Sequence, residues 1–156
     1  MATTFTLTPI ATVKSPRADL ADDHWGTVDA VISLDPGQFT ADALAGLGAF
    51  SHLEVVYLFD RVDPADVRTG ARHPRGRRDW PAVGIFAQRA KARPNRLGVS
   101  RCELVAVVGL DLHVRGLDAI DRTPVLDIKP WYAEFGPRGA VRQPPWSHEV
   151  MAAYYD

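Results

Sequence analysis

Apolar and polar residues alternate along several short stretches of the chain. Alternation with a period of two residues is typical of strands that bury one face. The stretch at residues 52–59, HLEVVYLF, is also rich in the β-branched and aromatic residues that favour strands. The pattern predicts seven short strands, at residues 5–13, 26–34, 52–59, 83–87, 99–108, 110–116 and 125–129.

Helical segments are few. A short helix is predicted at residues 41–47 with Thr40 as its N-cap, and a terminal one at residues 147–155 with Ser147 as its N-cap. Residues 60–81 are rich in proline, glycine and arginine and predict an exposed loop. Many short strands with little helix indicate a mostly β protein, a single antiparallel β-barrel-like domain with one or two short helices.

Length and composition narrow the classes of protein. A chain of 156 residues has the size of one domain, so we expect a single domain over residues 1–156 with no additional C-terminal domain. The longest apolar run, residues 104–110, is far shorter than the ~20 residues of a transmembrane helix. The first ten residues lack the basic and apolar regions of a signal peptide. These features predict a soluble cytoplasmic protein.

Residues suited to metal, thiol or nucleotide chemistry are scarce. Cys102 is the single cysteine and lies in an apolar strand, which predicts a buried thiol and excludes a disulfide within the chain. The five histidines lack metal-ligand spacing, so no metal site is expected. Residues 46–51 begin a G-x-G-x-x-G motif but end in serine, and no P-loop is present, which argues against a Rossmann fold.

Basic charge is concentrated in one part of the chain. Residues 68–101 carry ten basic residues and one acidic residue, although the net charge of the whole chain is −1. The basic residues of this segment are nearly all arginine, whose planar fork suits phosphate and carboxylate groups. The charge pattern therefore predicts an anionic partner.

The segment at residues 84–98, GIFAQRAKARPNRLG, places four cations in a loop between two strands. Pro94 restricts the backbone of the loop and of the residue before it. Asn95 tolerates a left-handed conformation, and Gly98 permits a tight return into the next strand. A loop with a fixed conformation and several cations is suited to holding a ligand. The alternative is a solvated basic turn.

A second segment, TPVLDIKPW at residues 123–131, combines a buried strand with two charged residues. Asp127 and Lys129 are two positions apart, so their side chains point to the same face of the strand. They can therefore pair with each other or address one common site. An exposed pair of this kind contributes about 0–1 kcal/mol to stability.

These segments resemble the TrmO-like (TsaA-like) family. Residues 87–98, AQRAKARPNRLG, are similar to its A-T-R-S-x-x-R-P-N-P-I-G signature, and TPVLDIKPW matches its D-G-T-P-V-L-D-I-K-P-Y motif almost letter for letter. Residues 46–59, GLGAFSHLEVVYLF, resemble its G-L-E-x-F-S-H-x-W motif. With three motifs in the family's order, the chain is identified as a divergent short member.

The resemblance implies a methyltransferase that uses S-adenosylmethionine and is built on a β-barrel. Members of the family act as homodimers and N-methylate threonylcarbamoyl-adenosine next to the tRNA anticodon. By alignment with the family's motifs, the residues expected to bind S-adenosylmethionine are Asp60, Arg61, Arg89, Arg93, Asn95, Val99, Asp118, Ala119, Ile120 and Asp121. The residues expected to bind the tRNA anticodon loop are Arg75, Arg77, Arg78, Asp127 and Lys129.

Several positions depart from the family's motifs. Residues 90–92 are Ala-Lys-Ala where the family has S-P-F, and Arg122 replaces the glycine before T-P-V. Residues 23–25, Asp-His-Trp, occupy the region of an R-Q-P contact to the cofactor. The motifs identify no catalytic base, and His24 and Asp127 are candidates by position alone. A small-metabolite acceptor, or a non-catalytic module that binds S-adenosylmethionine, are the alternative functions.

Overall fold

The computed structural model describes residues 2–156. Eight strands and one α-helix occur in chain order: β1 Ala11–Lys14, β2 Asp29–Leu34, β3 His52–Leu58, β4 Ala71–Arg72, β5 Val83–Gly84, β6 Leu97–Val108, β7 Asp111–Arg115, β8 Pro124–Pro130 and α1 Pro145–Met151. Short 3-10 helices lie between them, at Ala41–Leu44, Leu47–Ala49, Pro64–Asp66, Pro74–Gly76, Ile85–Ala87, Pro94–Arg96 and Ala133–Phe135.

Six of the strands close into an antiparallel barrel in the order β1-β2-β7-β6-β3-β8, and β8 pairs with β1 to complete the ring. Strands β4 and β5 form a separate two-stranded sheet. The predicted mostly β, antiparallel barrel-like domain is therefore confirmed.

The core fills the inside of the barrel. Every second residue of β3 is buried, as period-two alternation predicts. The inward side chains are mainly branched aliphatic residues, which fill a small barrel well. The largest fully buried side chains of this core are Ile32, Leu53, Leu112, Leu117, Val13, Val55, Val114 and Val125.

Two irregularities interrupt the pairing of the long strands. The register between β3 and β8 shifts after Val56, which lies opposite Asp127, because Tyr57 lies opposite Val125. The register between β6 and β7 shifts between Leu104 and Ala106. Bulges bend strands and commonly lie beside functional sites. The first bulge adjoins Tyr57, which belongs to the site described below.

The predicted strands differ from the observed ones mainly at their ends. The strand predicted at residues 5–13 forms only as β1, because β2 and β8 offer pairing partners from residue 11 onward. The strand predicted at residues 83–87 stops after β5, and the chain turns at once into the 3-10 helix Ile85–Ala87. The predictions at residues 52–59, 99–108, 110–116 and 125–129 are confirmed within two residues at each end.

Both helix predictions need correction. The helix predicted at residues 41–47 is two 3-10 turns separated by Gly46 at φ 83°, and the Thr40 side chain makes no capping hydrogen bond. The terminal helix begins at Pro145, not Ser147, because proline suits the first helical position. The Ser147 hydroxyl instead donates to the carbonyl oxygen of Pro144 at 2.7 Å.

Residues 60–81 are more ordered than the predicted exposed loop. They contain β4 and two 3-10 turns, and the side chain of Trp80 is buried. The indole Nε1 of Trp80 donates to the carboxylate of Glu149 on α1. Trp80 therefore anchors the basic segment to the terminal helix.

Within residues 2–156, no helix is both long and apolar enough to cross a membrane. The same part of the chain holds no group of three His, Cys, Asp or Glu side chains suited to a metal ion.

Candidate functional site

The signature segment at residues 87–98 is held in one conformation by its own backbone and by Gln88. Asn95 and Arg96 have φ values of 62° and 51°, in the left-handed region that asparagine tolerates better than most residues. The buried amide of Gln88 donates to the carbonyl oxygens of Arg72 and Val83, at 3.0 and 2.8 Å, and so clamps β4 to β5. The left-handed backbone that the sequence allows at Asn95 is present.

The cations of this loop have different partners. Arg93 folds back, and its Nη1 donates to the carbonyl oxygen of Gln88 at 2.7 Å. Arg96 donates to the carbonyl oxygen of Val62 at 2.7 Å. Arg89 reaches across to β6, and its Nη2 donates to the carbonyl oxygen of Val99 at 3.1 Å. The structure therefore brings Arg89 and Val99 together, whereas Arg93 and Arg96 brace the loop itself.

The segment at residues 118–121 connects β7 to β8. Ala119 is buried, and the carbonyl oxygen of Ile120 accepts the Thr123 hydroxyl at 2.7 Å, which shapes the turn into β8. Asp121 accepts from the backbone N–H of Ser15 at 3.0 Å and donates its own N–H to the Arg17 carbonyl at 2.7 Å. This segment is thus bonded to the loop that follows β1.

Asp118 is the centre of a polar cluster at the barrel wall. The hydroxyl of Tyr57 lies 3.2 Å from both the Oδ1 and the carbonyl oxygen of Asp118, and the hydroxyl of Tyr154 donates to Oδ2. Burial and the Asp118 carboxylate raise the pKa of both tyrosines well above its usual range. Burial, with a further contribution from Asp118, raises the pKa of Cys102 to about 12.

The pKa of Tyr155 responds to charges on both sides of the site. Burial and the Asp118 carboxylate raise its pKa, and the Arg89 guanidinium opposes that shift. The rings of Tyr154 and Tyr155 meet edge to face, with centroids 4.9 Å apart. Neither tyrosine was predicted from the sequence. No local pattern marks them, since both lie more than 30 residues after Asp118 in the chain.

The loop after β1 forms a further wall of the site. Arg17 lies over the ring of Trp25 at 3.8 Å and donates to the carbonyl oxygen of Asp23 at 2.8 Å. Arg61 donates to the carbonyl oxygen of Ala18 at 2.6 Å, while Asp60 is exposed at the end of β3. Arg61 and Asp121 therefore both bond to the loop after β1, which carries Asp-His-Trp in the region of the family's R-Q-P motif.

The residues predicted to bind substrate fall into two groups. Arg75 forms a bidentate pair with Asp23 at 2.9 and 3.0 Å, and the pair holds the pKa of Asp23 below its usual value. Arg77 pairs with Asp79, and Lys129 pairs with Asp127. The sequence left open whether Asp127 and Lys129 pair with each other or address one common site, and the structure shows them paired with each other.

Arg78 makes up the second group: within residues 2–156 it forms no ion pair, since the neighbouring Asp79 pairs with Arg77. It lines an open cavity of about 400 Å³ together with Arg68, Arg72 and His73. The Nε of Arg72 is buried and has no hydrogen-bond partner among residues 2–156. The backbone N–H of Arg68 donates to the carbonyl of Ala92 at 2.9 Å, which ties this basic cavity to the signature loop.

The fold and the site together define a small β-barrel protein whose site is built by the loops between strands, not by a Rossmann fold. A family model described as the tRNA-methyltransferase O N-terminal domain matches residues 15–136. The chain belongs to this family, and the resemblance of its motifs is confirmed.

Individual relatives agree with this assignment. A probable S-adenosyl-L-methionine-binding protein of Methanothermobacter thermautotrophicus is 37% identical over 135 residues, which are 84% of this chain and 93% of the relative. A tRNA (adenine(37)-N6)-methyltransferase of Escherichia coli is 41% identical over 95 residues, 58% of this chain and 40% of the enzyme. The chain thus spans nearly all of the archaeal relative but less than half of the bacterial enzyme.

A solved structure shares the fold. The crystal structure of TrmO from Pseudomonas aeruginosa superimposes with a TM-score of 0.73 at 27% identity, covering 90% of this chain and 61% of that one. The match confirms the barrel as the family's architecture.

Proposed function

We propose that this protein transfers a methyl group from S-adenosylmethionine to adenosine next to the anticodon of tRNA. Its membership of the family makes the protein an S-adenosylmethionine-dependent methyltransferase. The observation that carries the proposal further is that Arg89, which bonds to the carbonyl oxygen of Val99, and Asp118, from a separate segment, both act on the pKa of Tyr155. The tRNA acceptor is supported by the names of the bacterial and mammalian relatives.

The side chains present suit the cofactor. The Asp118 carboxylate keeps lone pairs to accept hydrogen bonds from an ammonium or ribose hydroxyl group. The guanidinium of Arg89 uses one N–H on Val99 and keeps others for a carboxylate. In the described chain the buried hydroxyl of Ser100, next to Val99, has no partner. S-adenosylmethionine supplies an electrophilic methyl group on a sulfonium.

The contribution of the protein is positioning. In methyl transfer the acceptor nitrogen, the methyl carbon and the sulfur must lie in line, and well-oriented reactants gain about 7–11 kcal/mol over the reaction in solution. Asp118, fixed by two tyrosine hydroxyls, holds its carboxylate in one orientation. Arg93 and Arg96 brace the loop that carries Arg89.

The basic cavity supplies the contact to the acceptor. Arg68, Arg72 and Arg78 line it and form no ion pair within residues 2–156, so their charge is available to phosphate groups. Arg75 and Arg77 are already paired with carboxylates and contribute less. Among the residues predicted to bind substrate, Arg78 is therefore the one we propose to contact tRNA directly.

A homodimer and a cytoplasmic location complete the proposal. Leu97, Val99 and Val105 of β6 are exposed on the outside of the barrel, where a second copy would cover them. Light scattering on the purified protein should give twice the mass of 17.1 kDa. The proposed activity on tRNA supports a cytoplasmic location.

The acceptor is tested with methyl-labelled S-adenosylmethionine, the purified protein, total tRNA and a small-metabolite extract in one reaction. We expect label in the tRNA fraction, with its loss in Arg89→Ala. Label in the small-molecule fraction would favour a metabolite acceptor, which the altered residues at 90–92 and Arg122 make the second candidate. Binding of S-adenosylmethionine with no label in either fraction would favour a non-catalytic module.

A further inference from the structure

Residues 153–155, here called the tyrosine segment, pack against the candidate cofactor site. The backbone N–H groups of His24 and Trp25 donate to the carbonyl oxygens of Ala153 and Tyr154, at 2.9 and 2.8 Å. These two hydrogen bonds fix the segment beside the loop that stands where the family has its R-Q-P motif. The altered loop is therefore a docking place for the end of the described chain.

Gly26 makes this docking possible. A Cβ atom at residue 26 would lie 1.9 Å from the carbonyl oxygen of Tyr155, a distance at which the backbone of the segment must move. Only glycine allows the two backbones to approach so closely. The sequence is thus adapted to the tyrosine segment at a position outside the family motifs.

The helix before the segment is also anchored. Glu149 of α1 accepts a hydrogen bond from the indole of the buried Trp80. The N–H of Tyr154 donates to the carbonyl of Met151 at 3.1 Å, which continues the turn of the helix into the segment. The segment is consequently held at both its start and its end.

The side chain of Tyr154 then reaches the centre of the site. Its hydroxyl donates to Oδ2 of Asp118, while the hydroxyl of Tyr57 lies 3.2 Å from Oδ1. Two donors on different oxygens fix the rotation of the carboxylate, and each oxygen keeps a lone pair for another donor. One of the two donors comes from the barrel and the other from the tyrosine segment.

We propose that Tyr154 is a positioning residue for S-adenosylmethionine, and that the tyrosine segment completes a cofactor site which the barrel loops alone leave open. Tyr154 acts through Asp118, whose carboxylate it orients, and not by contact with the reacting atoms. The proposal rests on the proposed function in that Asp118 is taken as a cofactor ligand.

The test compares three variants by calorimetric titration with S-adenosylmethionine. Tyr154→Phe removes the hydroxyl alone. Gly26→Ala adds a methyl group that pushes away the backbone of the tyrosine segment. The matched control is Tyr132→Phe, because Tyr132 is exposed and its ring stacks on Phe50 at 5.6 Å. We expect the Kd for S-adenosylmethionine to rise about tenfold in Tyr154→Phe and Gly26→Ala, the scale of a hydrogen bond to a charged group. In Tyr132→Phe the Kd should stay within twofold.

A second readout separates positioning from a structural role. In methylation assays KM for S-adenosylmethionine should rise in Tyr154→Phe by the same factor as the Kd, with kcat at saturating cofactor within about threefold. A lower melting temperature of the unliganded Tyr154→Phe protein with an unchanged Kd would overturn the proposal.

Removal of residues 154–156 tests whether the tyrosine segment completes the cofactor site or blocks it. Weaker binding of S-adenosylmethionine by the shortened protein supports the proposal. Tighter binding would show that the segment occludes the site and would overturn it, while leaving the proposed function intact. Failure of the wild-type protein to bind S-adenosylmethionine would overturn the proposed function and this inference together.

Discussion

The hydroxyl of Tyr57 lies 3.2 Å from Oδ1 of Asp118 and joins the inside of the barrel to the loop between β7 and β8. Tyr57 is buried at the bulge where the pairing of β3 with β8 shifts by one residue. The bulge thus lies at the position where the barrel wall meets the candidate cofactor site, as is common for bulges beside functional sites.

Replacing Tyr57 with phenylalanine should destabilise the protein and weaken its binding of cofactor. The change removes a buried donor to a carboxylate, and such hydrogen bonds contribute about 1.5–3 kcal/mol to stability. Urea unfolding of Tyr57→Phe should show a loss of this size in the free energy of unfolding. The same change at the exposed Tyr132 serves as control and should alter the free energy by less than about 0.5 kcal/mol.

Gly98 should not tolerate a methyl group. A Cβ at this position would lie 2.5 Å from Cε2 of Tyr57, whose ring packs edge to face on Phe59 with centroids 5.3 Å apart. Because the Tyr57 ring is buried and bonded to Asp118, it cannot swing away without breaking that contact. We expect Gly98→Ala to cost about 1–3 kcal/mol of stability, as overpacking of a core does.

Gly70→Ala is the matched control for Gly98→Ala. Nothing lies within 4 Å of a Cβ at residue 70, and its φ is outside the left-handed region. Thermal unfolding of the two variants should therefore separate the effect of crowding from that of a lost glycine. Equal melting temperatures for both would contradict the role assigned to Gly98.

The barrel could be predicted because its strands obey a local rule. In β3 and β6 the inward residues recur at every second position, and the sequence shows that period directly. The same period continues into residues 5–10, where no strand forms, because alternation does not reveal whether a neighbouring strand is present to pair.

The site was only partly predictable for a related reason. Arg89 and Val99 belong to one motif and meet across a single loop, so the motif identifies both. The pairing of Arg75 with Asp23 and of Tyr154 with Asp118 joins residues 52 and 36 positions apart. Such contacts depend on how loops and α1 lie on the barrel, which no local pattern encodes.

Cys102 should be unreactive in the folded protein. Burial, then the Asp118 carboxylate, raises the pKa of its thiol from 9.0 to about 12, and the thiolate is the reactive form. Labelling with a disulfide reagent at pH 8 should be complete in urea and negligible without it. The raised pKa also means that stability is retained below pH 9 and falls as the pH rises from 9 towards 12, since the unfolded chain loses the proton first. Cys102→Ala should remove that part of the pH dependence.

Binding of tRNA should depend on Arg78 more than on the paired arginines. Among the described residues Arg78 has no ion-pair partner in the basic cavity. Its replacement by glutamine should therefore weaken tRNA binding and lower the slope of log K against log salt by about 0.9, one phosphate contact. The control is the double variant Arg77→Gln with Asp79→Asn, which removes an existing ion pair and leaves the net charge unchanged. Filter binding over a range of salt concentrations should show an unchanged slope for that control. An equal fall in both slopes would mean that phosphate binding follows the whole basic segment and not the cavity, and a flat salt response of the wild type would contradict phosphate contacts altogether.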